Sequence, residues 1–171
     1  RFKENLISTA TTAGGIAGCL ATNTFVDSSY NTGKISGGGA SGGIVGLISN
    51  GLTYTNIINS YNTGIIDTEN CIYSTGGKSG RVGGIVGNAW KSNSNIINCY
   101  NNGKLSGNIN SAGITGYVAN TAYVYIINSY NTGDYNISST NNYGISYREA
   151  IDSLLNVSYT YYKNNASVGE V

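Results

Sequence analysis

Two short blocks recur in lockstep along this chain, and that doubled period restricts its fold more than any other feature. The first, Ser-Tyr-Asn-Thr-Gly, stands at 29–33, 60–64 and 129–133, as Cys-Tyr-Asn-Asn-Gly at 99–103, and as a worn copy at Ser158-Tyr159-Thr160. The second, Gly-Gly-Ile-Val-Gly, stands at 42–46 and 83–87. Its variants are Gly14-Gly15-Ile16-Ala17-Gly18, Ala112-Gly113-Ile114-Thr115-Gly116 and the eroded Tyr143-Gly144-Ile145-Ser146-Tyr147. Five copies of two independent blocks define a unit of about 30 residues, the length scale of solenoids and other stacked arrays.

Each unit reads as three short strands separated by glycine or asparagine turns. They are the Gly-Gly-Ile block, the Ile-Ile-Asn-Ser-Tyr segment (57–61, with equivalents at 96–100 and 126–130), and the segment after the Asn-Thr-Gly turn, such as Lys34-Ile35-Ser36. These segments are β-branched and aromatic, bounded by residues that tolerate positive φ. Three short strands cannot close a core, so each unit must stack on the last, strand on equivalent strand, about 4.8 Å apart. The predicted fold is an all-β, right-handed parallel β-helix (β-solenoid) of five coils, the handedness following the general rule for parallel crossovers.

Stacking predicts columns of like residues. Ile16, Ile44, Ile85, Ile114 and Ile145 form one internal ladder. Val26, Ile57, Ile96, Ile126 and Leu155 form a second, and Ile35, Ile66, Leu105 and Tyr135 a third. The position after the first ladder (Ala17, Val45, Val86, Thr115, Ser146) varies as an outward position does. Asn31, Asn62, Asn101 and Asn131 are placed to stack with amide-to-amide hydrogen bonds, and Tyr30, Tyr61, Tyr100, Tyr130 and Tyr159 to stack as aromatics. Proline, which has no N–H for a ladder, is absent. One conflict stays open. The apolar position four before each tyrosine and the small residue just before it (Ser29, Ser60, Cys99, Ser129, Ser158) have opposite parity. Either a bulge intervenes or the small residues face out.

The expected organisation is a single domain over 1–171: an N-terminal cap at 1–12, repeat coils at 13–142, and a degenerate last coil with a C-terminal cap at 143–171. One or two helical turns are allowed between Tyr147 and Leu155. The chain opens on Arg1 without a signal-like apolar stretch, which reads as an excised or processed piece of something longer.

Composition narrows the function classes. Nine Lys and Arg stand against eight Asp and Glu, for a net charge of +1, with charged residues at 10%. That balance argues against nucleic-acid binding, which needs a basic face. No histidine is present, so a Ser-His-Asp triad, a Cys-His pair or an HExxH zinc site cannot be built from this chain. The apolar runs are far shorter than a membrane helix, so no membrane insertion is expected. Cys19, Cys71 and Cys99 read as three buried thiols, with one bridge and one free thiol as the alternative.

The motifs at 42–46 and 83–87, followed by Ile-Ile-Asn-Ser/Cys-Tyr-Asn-Thr/Asn-Gly at 57–64, 96–103 and 126–133, resemble the GLUG-motif repeats of large bacterial surface and secreted proteins. These include adhesin-like proteins and the non-catalytic parts of IgA-cleaving metallopeptidases. The resemblance covers residues 13–162. It implies an extracellular setting, at the bacterial cell surface or secreted, and a β-solenoid stalk or binding surface. It transfers no catalytic site.

Among candidate sites, the eight acids form no aligned pair on neighbouring coils. Asp27 aligns with Ile58 and Ile97, and Asp67 with Ser36, Ser106 and Asn136. The Gly-Gly-x-Gly-x-Asp calcium repeat is not matched. No catalytic, cofactor or metal site is assigned, and no cofactor. The surplus length between Asp67 and Val82 is the main lead, because solenoid insertions form loops on one face. The binding candidates are Glu69, Tyr73, Lys78, Arg81, Trp90 and Lys91, with Trp90 and Lys91 in a turn where the indole would stack on a sugar or cover the loop edge. The tyrosine column is read as structural stacking before glycan contact, and the column Thr32, Thr63, Thr132 as too interrupted by Asn102 for an ice-binding array. The expected function is a non-catalytic structural spacer or adhesion module. Its partners would be a host glycan or protein or neighbouring domains of the same polypeptide. A carbohydrate-processing β-helix enzyme and a filament subunit associating end to end are the alternatives.

Overall fold

A computed structural model describes residues 6–8, 12–21, 23–37, 39–68, 80–107, 110–119, 121–135, 141–148 and 152–163. They form four parallel sheets that run the length of a β-solenoid. The first sheet holds Thr12–Gly14, Ala40–Gly42, Arg81–Gly83, Asn110–Ala112 and Asn141–Tyr143. The second, the long sheet, holds Ala17–Leu20 with Phe25–Asp27, Val45–Ile58, Val86–Ile97, Thr115–Ala119 with Tyr123–Ile127, and Ser146–Arg148 with Leu154–Ser158. The third stacks the two-residue strands Tyr30–Asn31, Tyr61–Asn62, Tyr100–Asn101, Tyr130–Asn131 and Tyr161–Tyr162. The fourth stacks Leu6–Ser8, Ile35–Gly37, Ile66–Asp67 and Leu105–Ser106. A coil therefore has four strand segments rather than three. The strand before Gly-Gly is separate, and the Gly-Gly-Ile-Val-Gly segment continues into the Ile-Ile segment as one long strand. No helix is present among the described residues: Tyr147 and Arg148, and then Leu154 and Leu155, are extended.

The expected columns are found. The amide of Ile16 donates to the carbonyl of Ile44, Ile44 to Ile85, Ile85 to Ile114, and Ile114 to Ile145. Ile57, Ile96 and Ile126 pair in register, as do Ile35, Ile66 and Leu105, with a bridge on to Tyr135. Ile44, Ile85 and Ile114 are fully buried, whereas Ile16, in the first coil, remains 39% exposed. Two expectations are corrected in the last coil. Val157, not Leu155, stands opposite Ile126, and Tyr161, not Tyr159, stands opposite Tyr130. The last coil is two residues longer on the way to its tyrosine than the motif remnant implies. The position after the first ladder is also corrected. Val45, Val86, Thr115 and Ser146 are buried, and both valines belong to the core.

That inward turn follows from how sharply the Gly-Gly corner bends. The core is split in two. The larger part is lined by the long sheet and includes Ile44, Ile57, Ile85, Ile96 and Ile114. The smaller holds Ala13, Ile35, Ile66, Val82 and Leu105. Between them the backbone approaches itself too closely for side chains. A Cβ on Gly87 would overlap the backbone of Ser41, and one on Gly116 the backbone of Val82.

The parity conflict is resolved by backbone conformation. Asn59, Asn98 and Asn128 have φ of 49°, 54° and 48°, the left-handed region that asparagine tolerates better than other non-glycine residues. One such residue between Ile-Ile and Ser/Cys resets the alternation. Ile57 and Ser60, Ile96 and Cys99, and Ile126 and Ser129 are all buried as a result.

Candidate binding surface

Of the six residues singled out in sequence, Glu69, Tyr73 and Lys78 lie outside the described residues. The other three sit on two different strands. Arg81 belongs to the first sheet, where its guanidinium lies 3.8 Å from the centre of the Tyr117 ring, an arrangement that ties it to the next coil. Trp90 and Lys91 are not in a free turn but within the strand Val86–Ile97, where Trp90 is in register with Ser49 and Ala119. Lys91 has φ 48° and bends that strand, and Thr121, φ 59°, opens the same corner one coil on. Trp90 is half-buried and Lys91 exposed.

Three of the acids in the described coils are engaged. Asp67, in register with Ser36 and Ser106, lies 2.9 Å from Lys34, and Asp134 lies 3.1 Å from Lys163. Asp27 accepts hydrogen bonds from Ser28 and Asn59. Among the described residues no group of three His, Cys, Asp or Glu is placed to hold a metal ion, and no helix is long and apolar enough to cross a membrane.

Each coil is stapled to the next by asparagine. Asn31 Nδ2 donates to Asn62 Oδ1 at 2.7 Å, Asn62 to Asn101 at 2.8 Å, and Asn101 to Asn131 at 2.8 Å. Every one of these buried amides also accepts from the glycine N–H two residues on. In the last coil Tyr162 takes the asparagine position, and Asn131 turns its Nδ2 to the Tyr135 hydroxyl instead. A second amide ladder runs on the outside. Asn128 donates to Asn98, Asn98 to Asn59, and Asn59 to Asp27. The sequence held its signal, an asparagine two residues before the tyrosine in three copies, although only the left-handed corner reveals that those side chains face out.

The tyrosine column is stacked face to face. Tyr30 and Tyr61 are 5.1 Å apart, Tyr61 and Tyr100 4.8 Å, and Tyr100 and Tyr130 4.9 Å, with interplanar angles of 4° or less. Burial, then the neighbouring Tyr130 and Tyr61, raises the Tyr100 hydroxyl above its ordinary pKa. Rings packed this way cover one another's faces and offer solvent only edges and hydroxyls, so this column is structural.

A different face carries uncovered aromatics. On the outer side of the long sheet's second half, one column runs Tyr54, Asn93, Tyr123, Leu154. The next runs Phe25, Asn56, Asn95, Tyr125, Asn156, and a third runs Asp27, Ile58, Ile97, Ile127, Ser158. Phe25 is 60% exposed, Tyr54 43% and Tyr123 44%. Tyr54 and Tyr125 meet at 49° with centres 6.3 Å apart, leaving ring faces open, and Asn95 donates to Asn56 at 2.9 Å. Among the described residues the three columns hold no cationic side chain; their one acid, Asp27, lies at one margin, and the exposed Lys91 and Asp152 stand two residues before Asn93 and Leu154 at the other.

No curated protein and no solved structure matches the chain. Family comparison matches residues 78–106, which take in Arg81–Gly83, the long strand Val86–Ile97, the Tyr100–Asn101 step and Leu105–Ser106. That stretch spans one full coil of the solenoid, and the family model it matches is the GLUG motif.

Proposed function

We propose that this chain is a non-catalytic segment of a bacterial cell-surface or secreted protein, acting as a stiff spacer and adhesion module for glycan or protein contact. The observation that supports it is the coil-on-coil stacking: four parallel sheets, a buried amide column and a stacked tyrosine column link successive coils, with local shifts of register in the long sheet. Such an array transmits load along its axis through hydrogen bonds and displays repeated side chains at fixed intervals, which suits multivalent contact. In support of the non-catalytic reading, Asp67 and Asp134 are engaged in ion pairs and Asp27 in an amide contact.

The test is a binding screen against a glycan array and a panel of host extracellular proteins, run on the full chain and on a variant with 69–79 replaced by a short Gly-Ser linker. The replacement leaves Asp67, Arg81 and Val82 in their sheets. Binding by the full chain without turnover of the bound glycan is expected. Release of reducing ends from any bound polysaccharide would overturn the non-catalytic reading, and absence of binding by both chains would overturn the adhesive one.

A further inference from the structure

We infer that the outer face of the long sheet's second half binds an uncharged polysaccharide lying across the strands, along the solenoid axis. The inference rests on the adhesion reading above and names its ligand class. Three observations carry it. Tyr54, Tyr123, Tyr125 and Phe25 present ring surface that no neighbouring ring stacks upon in parallel, unlike the tyrosine column one corner away. Asn56 and Asn95 lie between them, with amide groups suited to sugar hydroxyls. Among the described residues its three columns carry no cation, their acid, Asp27, is engaged by Ser28 and Asn59, and the charged Lys91 and Asp152 stand only at the opposite margin.

A pyranose ring has an apolar face, which packs on aromatic and aliphatic side chains, and a rim of hydroxyls, which amides satisfy. The rise per sugar of an extended polysaccharide is close to the spacing of parallel strands, so a chain lying along the axis meets aromatic and amide side chains of successive coils in turn. The lack of charge selects against acidic glycans and nucleic acid. Size selects against a second copy of the chain. Five strands about 4.8 Å apart and about five residues deep offer roughly 300 Å², whereas a stable protein interface takes about 800 Å² from each partner.

Native electrophoresis of the full chain in gels cast with a neutral β-glucan, a mannan or a xylan, beside gels cast with heparin or polygalacturonate, tests this directly. Retardation by at least one neutral polymer and by neither acidic one is expected. The Tyr123→Ala/Tyr125→Ala variant should weaken that retardation at least tenfold, as should Phe25→Ala/Tyr54→Ala, while Tyr30→Ala on the stacked column leaves it within twofold. Circular dichroism confirms that each variant is folded, and two independent pairs on one face guard against the loss of either. No retardation by any neutral polymer, or retardation that both pairs leave unchanged, would overturn the inference. So would sedimentation showing a dimer that Tyr123→Ala dissociates. If the array screen finds a ligand while these gels and variants do not respond, this face is excluded and the adhesion reading stands on another surface.

Discussion

The asparagine of one block and the second glycine of the other are halves of a single contact. A Cβ on Gly84 would overlap both the Gly113 carbonyl and Asn101 Cβ, and Gly43 with Asn62 and Gly113 with Asn131 repeat the arrangement. Only hydrogen on the glycine lets the amide column sit flush against the corner, which is why the two blocks keep step. Gly84→Ala should therefore destabilise by about 3 kcal/mol or more in denaturant unfolding. Gly18→Ala, whose nearest neighbour would be 3.7 Å away at Thr12, should change little. Asn101→Ala takes one of two partners from Asn62 Nδ2 and from Asn131 Oδ1 and removes the acceptor of the Gly103 N–H, and should lose about 3 kcal/mol. Cys99 supplies a pH test. Burial raises its thiol from 9.0 to about 11, against the lowering by its backbone hydrogen bonds. Because the folded pKa lies above the unfolded one, the native state keeps its full stability below pH 9 and loses it as pH rises toward 11, by about 2–3 kcal/mol. Partly buried Tyr135 is shifted upward as well, so the thiol's share is the difference between the native chain and Cys99→Ser. Coils two and four already carry serine there.

At the scale of the strand, the corner after Ile-Ile is where sequence reading stopped and backbone geometry decided. The columns of isoleucine, asparagine and tyrosine were legible because stacking repeats each side chain at one position per unit. Parity was not, because a left-handed residue at Asn59, Asn98 or Asn128 changes the alternation without changing the residue count. For the same reason Val86 read as outward: a turn as tight as Gly83-Gly84 admits two consecutive inward side chains. The last coil was misaligned by two residues because its motif survives only as Ser158-Tyr159-Thr160, while the ladder itself selects Tyr161. Of the candidate site, Arg81 and Trp90 were singled out by their place in and just after the surplus length, which says nothing about the covered or open state of a ring. The outer aromatic face was missed because Tyr54, Tyr123 and Phe25 lie outside both blocks. The corner predicts a ranking. Asn98→Ala, with φ 54° and two exposed amide bonds lost, should lower stability by about 1–2 kcal/mol. Asn98→Gly, which keeps the backbone conformation at ease, should lose less than half of that. Equal losses in chemical denaturation would mean the side-chain ladder, not the backbone, sets the corner.

Over the whole molecule, stability is a chain of nearest-neighbour interfaces, so protection should fall from the middle coils toward both ends. Hydrogen exchange followed by mass spectrometry should show the amides of Ile44 and Ile85 exchanging slowest. Each is fully buried and donates to the next coil, whereas Tyr161 is 70% exposed in the terminal coil. Uniform protection from Ala17 to Tyr161 would indicate one cooperative block instead. The buried amide column also gives the rod a sense of direction. Every link from Asn31 to Asn101 hands its donor toward the C-terminal end, until Tyr162 stands where the next asparagine would be and Tyr135 receives the last donor. A unit duplicated in the interior, between Asn62 and Asn101, inherits a donor on one side and an acceptor on the other. One appended after Asn131 finds that connection already closed. Copying a unit from within the amide column thus preserves its chain of donors, whereas copying the coil that carries Tyr162 interrupts it.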